Sequence, residues 1–261
     1  MIEQPIITTI NNGILWITLN RPKANAIDAR TSQQLNDIFD DFEQNADCRV
    51  AIIRGAGERF FCAGWDLSAA AEGEAADADF GRHGFGGLAT RFDNPKPVIA
   101  AVNGMAIGGG FELALCCDLI VAAEHATFAL PEAKVGVAPD TGSLRLPNRI
   151  PQPLAMEMLL TGKKIDSSEA ERLGLLNRVV ALDELENTAE ALANAIIANA
   201  PLAIAAIKQL ANAAQQNSLA ENYQTLFDKG FDRYETMLRS DDALEGPAAF
   251  AEKRQPRWMG M

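Results

Sequence analysis

Val98–Ala123 reads VIAAVNGMAIGGGFELALCCDLIVAA, and the order of residue types within it sets the fold class. VIAAV (Val98–Val102) is a short, wholly apolar run, the pattern of a buried strand. NGMAIGGG follows, and its three consecutive glycines lead into Phe111–Cys117, a run of good helix formers. DLIVAA (Asp118–Ala123) then returns to strand composition. Strand, glycine turn, helix and strand in succession indicate α/β organisation with mostly parallel strands.

The flanking sequence extends the pattern. ILWITL (Ile14–Leu19) follows the Asn12-Gly13 turn and reads as the second arm of a hairpin. Leu35, Ile38, Phe39 and Phe42 fall at i, i+3, i+4 and i+7, an amphipathic helix. Val50–Ile53 is a short buried strand closed by the glycines of RGAG. From about Asp183 the strand signals stop. LANAIIANAPLAIAAIKQLANAA is helical and broken at Pro201, and apolar residues from Tyr223 to Leu238 recur at helical spacing. Ser240-Asp241-Asp242 reads as the cap of a last short helix ending before Gly246-Pro247. The expected organisation is an α/β core over residues 1–200 and an all-helical region over 201–261. ADFGRHGFGGL (Ala78–Leu88) reads as a mobile, lid-like loop.

Composition excludes several classes of function. The chain has 261 residues, enough for a large buried core, with 23 Lys and Arg against 35 Asp and Glu for a net charge of −12. That balance argues against nucleic acid and anionic membranes as partners. No apolar run approaches the roughly 20 residues of a membrane span. The opening MIEQPIITTI lacks the basic segment of a signal peptide. Cys48, Cys62, Cys116 and Cys117 make no CxxC pair, so neither zinc nor a disulfide framework is indicated and a reducing cytoplasm fits. With only His83 and His125, a three-histidine metal site is impossible. The GxSxG elbow and the GxxxxGK[ST] phosphate loop are both missing. What remains is chemistry run on carboxylates and backbone N–H groups.

Two glycine-containing turns and two glutamates are the candidates. FFCAGWDL (Phe60–Leu67) follows one strand, and AIGGGFEL (Ala106–Leu113) opens a helix. Each is readable as a tight connection only. Together, two backbone N–H groups converging on one oxygen would make an oxyanion hole. Glu112 lies in the apolar run FELALCC, and Glu132 follows the apolar FALP. Either could be solvated, with Glu112 complementing the helix dipole. A partly buried pair could instead serve as general acid and base. Asp140 in VAPDTGS is a third acid or a turn residue, and Asp66 orders its own turn or caps the segment after it. His83 reads as a solvated loop histidine, and Cys116 and Cys117 as small apolar helix residues.

NRPKANAID, FFCAGWDL, PVIAAVNGMAIGGGFELALCCDLIVA, FALPEAKVGVAPDTG and FAEKRQPRW, in this order over nearly the whole chain, resemble the crotonase (enoyl-CoA hydratase/isomerase) superfamily. The resemblance implies a spiral of ββα units with a C-terminal helical region that forms trimers, often paired as hexamers. It implies an acyl-CoA thioester substrate, no metal, and no cofactor besides the coenzyme A carried by that substrate. Glu112 and Glu132 would act on Cα and Cβ of the acyl chain, Glu112 on the water and Glu132 on the Cα proton. The N–H groups of Trp65 and Gly109 would form the oxyanion hole. Ala24, Ala63, Asp66 and Leu67 would hold the CoA adenine, mainly through main-chain groups, and Lys253 would lie near CoA phosphates.

The paired glutamates look like a hydratase's rather than an isomerase's. The stretches around Arg21–Ser32, Phe61–Gly81 and Gly110–Gly142 resemble the members that interconvert carnitinyl-CoA and crotonobetainyl-CoA. A quaternary ammonium substrate favours an aromatic cage, to which Trp65, Phe80 and Phe85 could contribute; the same rings could pack plain apolar chains. The alternatives are a general short-chain enoyl-CoA hydratase, an RNA-binding relative, which the acidity disfavours, and a silent scaffold, which the retained glutamates disfavour. An aspartate nucleophile at Asp140, as in the superfamily's dehalogenases, has little in its favour.

Overall fold

The computed structural model describes residues 4–21 and 23–261. The chain forms two compact units. One runs to Arg91 and resumes over Val98–Ala193; the other comprises Phe92–Pro97 and Asn194–Met261.

In chain order the first unit contains β1 (Ile6–Asn11), β2 (Ile14–Leu19), α1 (Ala29–Gln44), β3 (Val50–Gly55), β4 (Phe60–Cys62), α2 (Leu67–Ala71), β5 (Val98–Val102), β6 (Met105–Ile107), α3 (Gly109–Cys116), β7 (Leu119–Ala123), β8 (Thr127–Ala129), α4 (Asp140–Arg145), α5 (Gln152–Thr161), β9 (Ile165–Asp166), α6 (Ser167–Arg172) and β10 (Arg178–Val180). A larger sheet has the order β1-β2-β3-β5-β7-β10 and a smaller one β4-β6-β8-β9. The β1–β2 and β8–β9 pairs are antiparallel and the rest are parallel. Strands β3, β5 and β7 each pass into a strand of the smaller sheet (β4, β6, β8), and a helix follows each pair. This is the ββα repeat that the resemblance implied.

The strands follow from their composition. Residues of β3 and β5 are buried on both faces almost throughout, as parallel strands covered on both sides require. Strand β1, at the sheet edge, is exposed beyond Ile6. Helix α1 is capped by Asp28, whose carboxylate accepts the Thr31 N–H at 2.7 Å. Its stripe of Leu35, Phe39 and Phe42 joins Ile17, Ile53, Phe61, Phe111 and Phe128 in one core. Ser32 and Asn36, on the same side of α1, are equally buried.

Ala78–Leu88 is better secured than a mobile lid would be. Ser32 Oγ donates to Phe80 O (2.6 Å) and accepts the Gly86 N–H (2.9 Å). Asn36 Oδ1 accepts the His83 N–H at 2.7 Å, and its Nδ2 donates to Phe80 O and Gly84 O. The buried Arg91 guanidinium, 2.8 Å from both Asp40 and Glu43, closes the segment onto α1.

The helix α7 (Leu185–Ile197) leads on to α8 (Pro201–Gln216), α9 (Leu219–Phe227), α10 (Asp232–Leu238) and α11 (Asp241–Glu252). Two sequence expectations are corrected here. The apolar recurrence from Tyr223 to Leu238 is two helices, because Lys229 turns left-handed (φ 57°) and the Gly230 N–H closes back on Thr225 O (2.8 Å). Pro247 does not stop the last helix. Capped by Ser240, α11 runs through it to Glu252, forgoing one backbone bond, and its buried Asp242 holds the tail by accepting from Met259 and Gly260. Phe92–Pro97 groups with these helices because Arg233 grips Asp93 (2.6 Å) and Asn212 donates to Phe92 O (2.9 Å). Among the described residues no single helix is long and apolar enough to cross a membrane.

Asn103, buried just after β5, accepts the Gly55 N–H (2.9 Å) and donates to Gly57 O (2.7 Å) and Phe60 O (3.2 Å), tying the end of β3 to the start of β4. Asn103→Ala would strand the buried Gly55 N–H. The expected loss is about 1–3 kcal/mol, read as a lower urea midpoint with faster hydrogen exchange at the Gly55 amide.

Candidate active site

The site forms where the turn after β4 meets the beginning of α3. Gly64 (φ 85°) turns so closely past that helix that a Cβ on it would lie 2.7 Å from the Gly109 nitrogen and 2.8 Å from Ile107 O. No side chain fits there, and glycine alone takes the conformation without strain. The peptide of Trp65 is thereby set beside the first turn of α3. Ile27 N–H binds Gly64 O and Asp66 N–H binds Ile27 O, flanking Trp65 on both sides. Neither the Trp65 N–H nor the Gly109 N–H finds an acceptor among the described residues. For Gly109 this is the ordinary condition of a helix start; for Trp65 it leaves a second free donor at the same place.

Arg21 reinforces this turn. Its guanidinium lies 2.8 Å from Asp28 and 2.9 Å from Asp66, the caps of α1 and α2. Burial opposes the charge on Asp28, but the Thr31 bonds and the Arg21 cation outweigh it and hold the carboxyl below its usual range. Asp66 caps α2 by accepting the Ser68 N–H. The Ala63 N–H is bonded to Ala24 O (3.0 Å) and the Asp66 N–H to Ile27 O (3.0 Å), whereas the Ala24 and Leu67 N–H groups have no acceptor among the described residues. Lys253 lies in the other unit, exposed, as the left-handed cap of α11.

Two carboxylates face the space beside α3. Glu112, in the first turn of α3, is 8% exposed, and its Oε1 accepts the Gly142 N–H of α4 at 2.7 Å. Burial pushes its pKa from the ordinary 4.5 up to about 7, with the negative charges of Glu132 and Asp140 adding to the rise and the N–H groups of Gly142 and Thr141 opposing it. Glu132 begins a 3-10 turn after β8. It meets Gly108 (φ 57°), where a Cβ would lie 2.7 Å from its Oε1. Burial likewise raises the Glu132 pKa, helped by Asp140, and its Oε2 is buried with no hydrogen-bond partner. A buried, unpartnered carboxyl oxygen is costly unless a ligand or water completes it.

Asp140 is exposed at the start of α4 and acts on both glutamates through its charge. His83 is half-buried with its Nε2 accepting from Arg82 (3.1 Å), and burial with the neighbouring arginines lowers its pKa. Phe85 packs on Gly109, where a Cβ would lie 2.7 Å from the ring, and stands edge-to-face with Phe80 at 5.5 Å. Desolvation pushes the pKa values of the buried Cys62 thiol and the half-buried Cys116 thiol up to about 12, far from thiolate formation at neutral pH.

Sequence reasoning missed Gly142 as a donor, Arg21 as a clamp, the Ser32–Asn36 clasp, and Glu74, which accepts the Trp65 indole N–H (2.7 Å). Ser32 and Asn36 carried a usable signal, since each is a polar residue on the apolar stripe of α1. Arg21 and Glu74 carried none, because their partners are 45 and 9 residues away.

A raised carboxyl pKa is a destabilising feature whose sign is fixed. Folded Glu112 holds its proton more tightly than the unfolded chain. Its favourable contribution is therefore complete below pH 4.5 and is lost as the pH rises through about 7. Glu112→Gln retains an acceptor for Gly142 N–H and has no charge to bury. We expect it to be more stable than the wild type at pH 8, by roughly 3 kcal/mol, with the gap closing as the pH falls to 4.5. Urea unfolding at several pH values measures this.

The enoyl-CoA hydratase/isomerase family pattern matches residues 9–261. The chain is 53% identical over 259 residues to a carnitinyl-CoA dehydratase of Proteus mirabilis (99% of each chain), and 55% identical over 253 residues to one of Salmonella paratyphi A (97% of each). Among solved structures, an enoyl-CoA hydratase from Mycobacterium tuberculosis superposes with a TM-score of 0.90 at 41% identity, covering 99% of this chain and 100% of that one. With its ββα repeat, glycine turns and buried glutamates, the chain belongs to the enoyl-CoA hydratase/isomerase family, the crotonase superfamily.

Proposed function

We propose that this chain is a hydro-lyase that reversibly hydrates crotonobetainyl-CoA to carnitinyl-CoA, by way of a thioester enolate. The observation that carries the chemistry is the pair formed by buried Glu112 and half-buried Glu132 beside two free N–H groups. The full-length identity to carnitinyl-CoA dehydratases carries the choice of substrate.

The thioester carbonyl accepts bonds from the Trp65 and Gly109 N–H groups, each such donor worth on the order of 3 kcal/mol in the transition state. The Glu112 carboxylate removes a proton from water as the water oxygen bonds to Cβ. The C=C electrons move toward the carbonyl, giving an enolate held in the oxyanion hole, and the Glu132 carboxyl delivers its proton to Cα. Dehydration runs the same steps backwards. The assignment of roles rests on hydrogen bonding. Gly142 N–H favours the charged form of Glu112, as suits a base. Glu132 Oε2 has no donor to favour a charge, as suits an acid. The two groups titrate as a pair holding one proton between its two steps.

Ala24, Ala63, Asp66 and Leu67 are proposed to hold the CoA adenine, and Lys253 its phosphates. Exposed apolar side chains such as Leu144 in the first unit and Tyr223, Phe227 and Phe250 in the second support a homotrimer or hexamer, with residues 201–261 as the assembling region. Four thiols without a disulfide support a cytoplasmic location.

The first test compares kcat/KM for crotonobetainyl-CoA and crotonyl-CoA, followed by loss of the unsaturated-thioester absorbance. The expected preference for the betainyl substrate is about 100-fold, or roughly 2.7 kcal/mol. Equal or faster turnover of crotonyl-CoA would make the chain a general short-chain hydratase.

The pH profile of kcat/KM is expected to be bell-shaped. Activity falls on the acid side as Glu112 is protonated and on the alkaline side as Glu132 loses its proton, with both limbs displaced above the ordinary carboxyl range because burial raises both groups. Glu112→Gln and Glu132→Gln should each lower kcat by about 10²–10⁴-fold.

A further inference from the structure

Glu74 is a half-buried carboxylate with no cation to balance it among the described residues. Its Oε1 accepts the Trp65 indole N–H (2.7 Å), and its Oε2 accepts the Ala29 backbone N–H in the first turn of α1 (3.0 Å). Both donors are neutral. They fix the carboxylate in place, and the N-terminal end of α1 offsets only part of its charge. By contrast Asp28 and Asp66, on the same face of the turn, share Arg21.

The same end of α1 carries two aromatic rings. One turn beyond Ala29, Ser32 holds Phe80 O and the Gly86 N–H, and Asn36 holds Phe80 O and Gly84 O. These bonds position Phe80 and Phe85, with Phe85 against Gly109. Trp65, whose ring is tied to Glu74, places its own peptide N–H beside that glycine. An indole, two phenyl rings and one unbalanced carboxylate are thus anchored to the frame proposed to grip the thioester carbonyl.

We propose that Glu74, together with the Trp65 indole it orients, selects the trimethylammonium group of the acyl chain. This rests on crotonobetainyl-CoA being the substrate. A quaternary ammonium has no N–H to donate. It is recognised by aromatic faces and by a nearby negative charge, and hydrogen-bond acceptors gain nothing from it. Glu74 fits that requirement, because one fixed donor on each oxygen holds it in place and no cation is paired with it among the described residues. The cation lies only a few bonds beyond the carbonyl, within the span of a side chain on the residue whose N–H holds that carbonyl.

The test measures kcat/KM for crotonobetainyl-CoA and for its neutral carbon isostere, 5,5-dimethylhex-2-enoyl-CoA, in the wild type and in Glu74→Gln. The two substrates share shape and differ in charge. The ratio for one preparation does not depend on its active fraction. We expect the wild type to favour the cation and Glu74→Gln to lose about tenfold or more of that ratio, whatever smaller loss both substrates share from the one backbone or indole N–H that Gln can no longer accept. A ratio unchanged in Glu74→Gln overturns the proposal, as does an equal fall for both substrates, which would mark Glu74 as structural. A wild type that turns over crotonyl-CoA and shows no preference for the cation overturns the substrate reading, and this inference with it. If Glu74→Gln yields no active protein, Glu74→Leu, which also removes the charge, is judged by the same ratio, with a comparable loss expected and an unchanged ratio overturning the proposal.

Discussion

The site depends on one backbone-to-backbone contact, the passage of the Gly64 turn against the N-terminal end of α3. Two free N–H groups serve one oxygen only if the chain segments carrying them touch, and no side chain can stand between them. Gly64 removes the obstacle at one point. The two sheets supply the rest: β3 delivers the chain to β4 and its turn, and β5 delivers it to β6 and α3. Because β3 and β5 are hydrogen-bonded neighbours in the larger sheet, and β4 and β6 in the smaller, the two turns emerge side by side. The repeated ββα unit is therefore what makes the donor pair possible.

Beside those donors the chain buries charge at a cost. Glu112 sits in apolar surroundings, and Glu132 leaves an oxygen without a partner. Each would be more stable as a neutral, satisfied side chain. The cost follows from the chemistry proposed, since an acid and a base at neutral pH need pKa values moved away from 4.5, and desolvation moves them. The two are treated differently, however. Donors from α4 keep the charged form of Glu112 within reach despite burial, whereas Glu132 has only its own backbone N–H. The extensive core below, in which most residues of the central strands are inaccessible, offsets this local instability.

Much of this was legible in the sequence where the signal is local. The strand, glycine turn and helix of Val98–Ala123 appear at the expected positions, as do the hairpin and α1, because each is set by short-range periodicity and turn chemistry. Glu112 and Glu132 were identifiable as acids in apolar runs. Motif likeness added Trp65 and Gly109, since nothing local distinguishes a donor N–H from any other. Signals weak in sequence failed for physical reasons. Gly246-Pro247 resembled a helix end, but a single missing backbone bond is too small a loss to stop a helix capped by Ser240 and held by Asp242. Ala78–Leu88 resembled a mobile loop because glycines dominate its composition, while the groups that fasten it belong to α1, more than 40 residues earlier.

That separation divides the site into parts held by different forces. The carboxyl pair and the oxyanion donors come from helix ends and turns fixed by strand pairing, which leaves little freedom to move without loss of the sheets. Phe80 and Phe85 belong to a segment held by side-chain bonds from Ser32, Asn36 and Arg91, and Glu74 is held by its bonds to the Trp65 indole and to the start of α1. On the proposed reading, altering such a segment would change which acyl group is accommodated while the backbone geometry of proton transfer stays in place. A trimethylammonium group makes this division useful, because it must be told apart from a tert-butyl group of nearly the same shape. Shape alone cannot do so, and a fixed, unbalanced charge can. Placing that charge outside the catalytic pair also matters. A cation neutralised by Glu112 or Glu132 would lower the pKa of the very group whose proton the reaction needs. A carboxylate for recognition therefore belongs on a separate support from those that carry out the chemistry, as Glu74 is on the α1 frame.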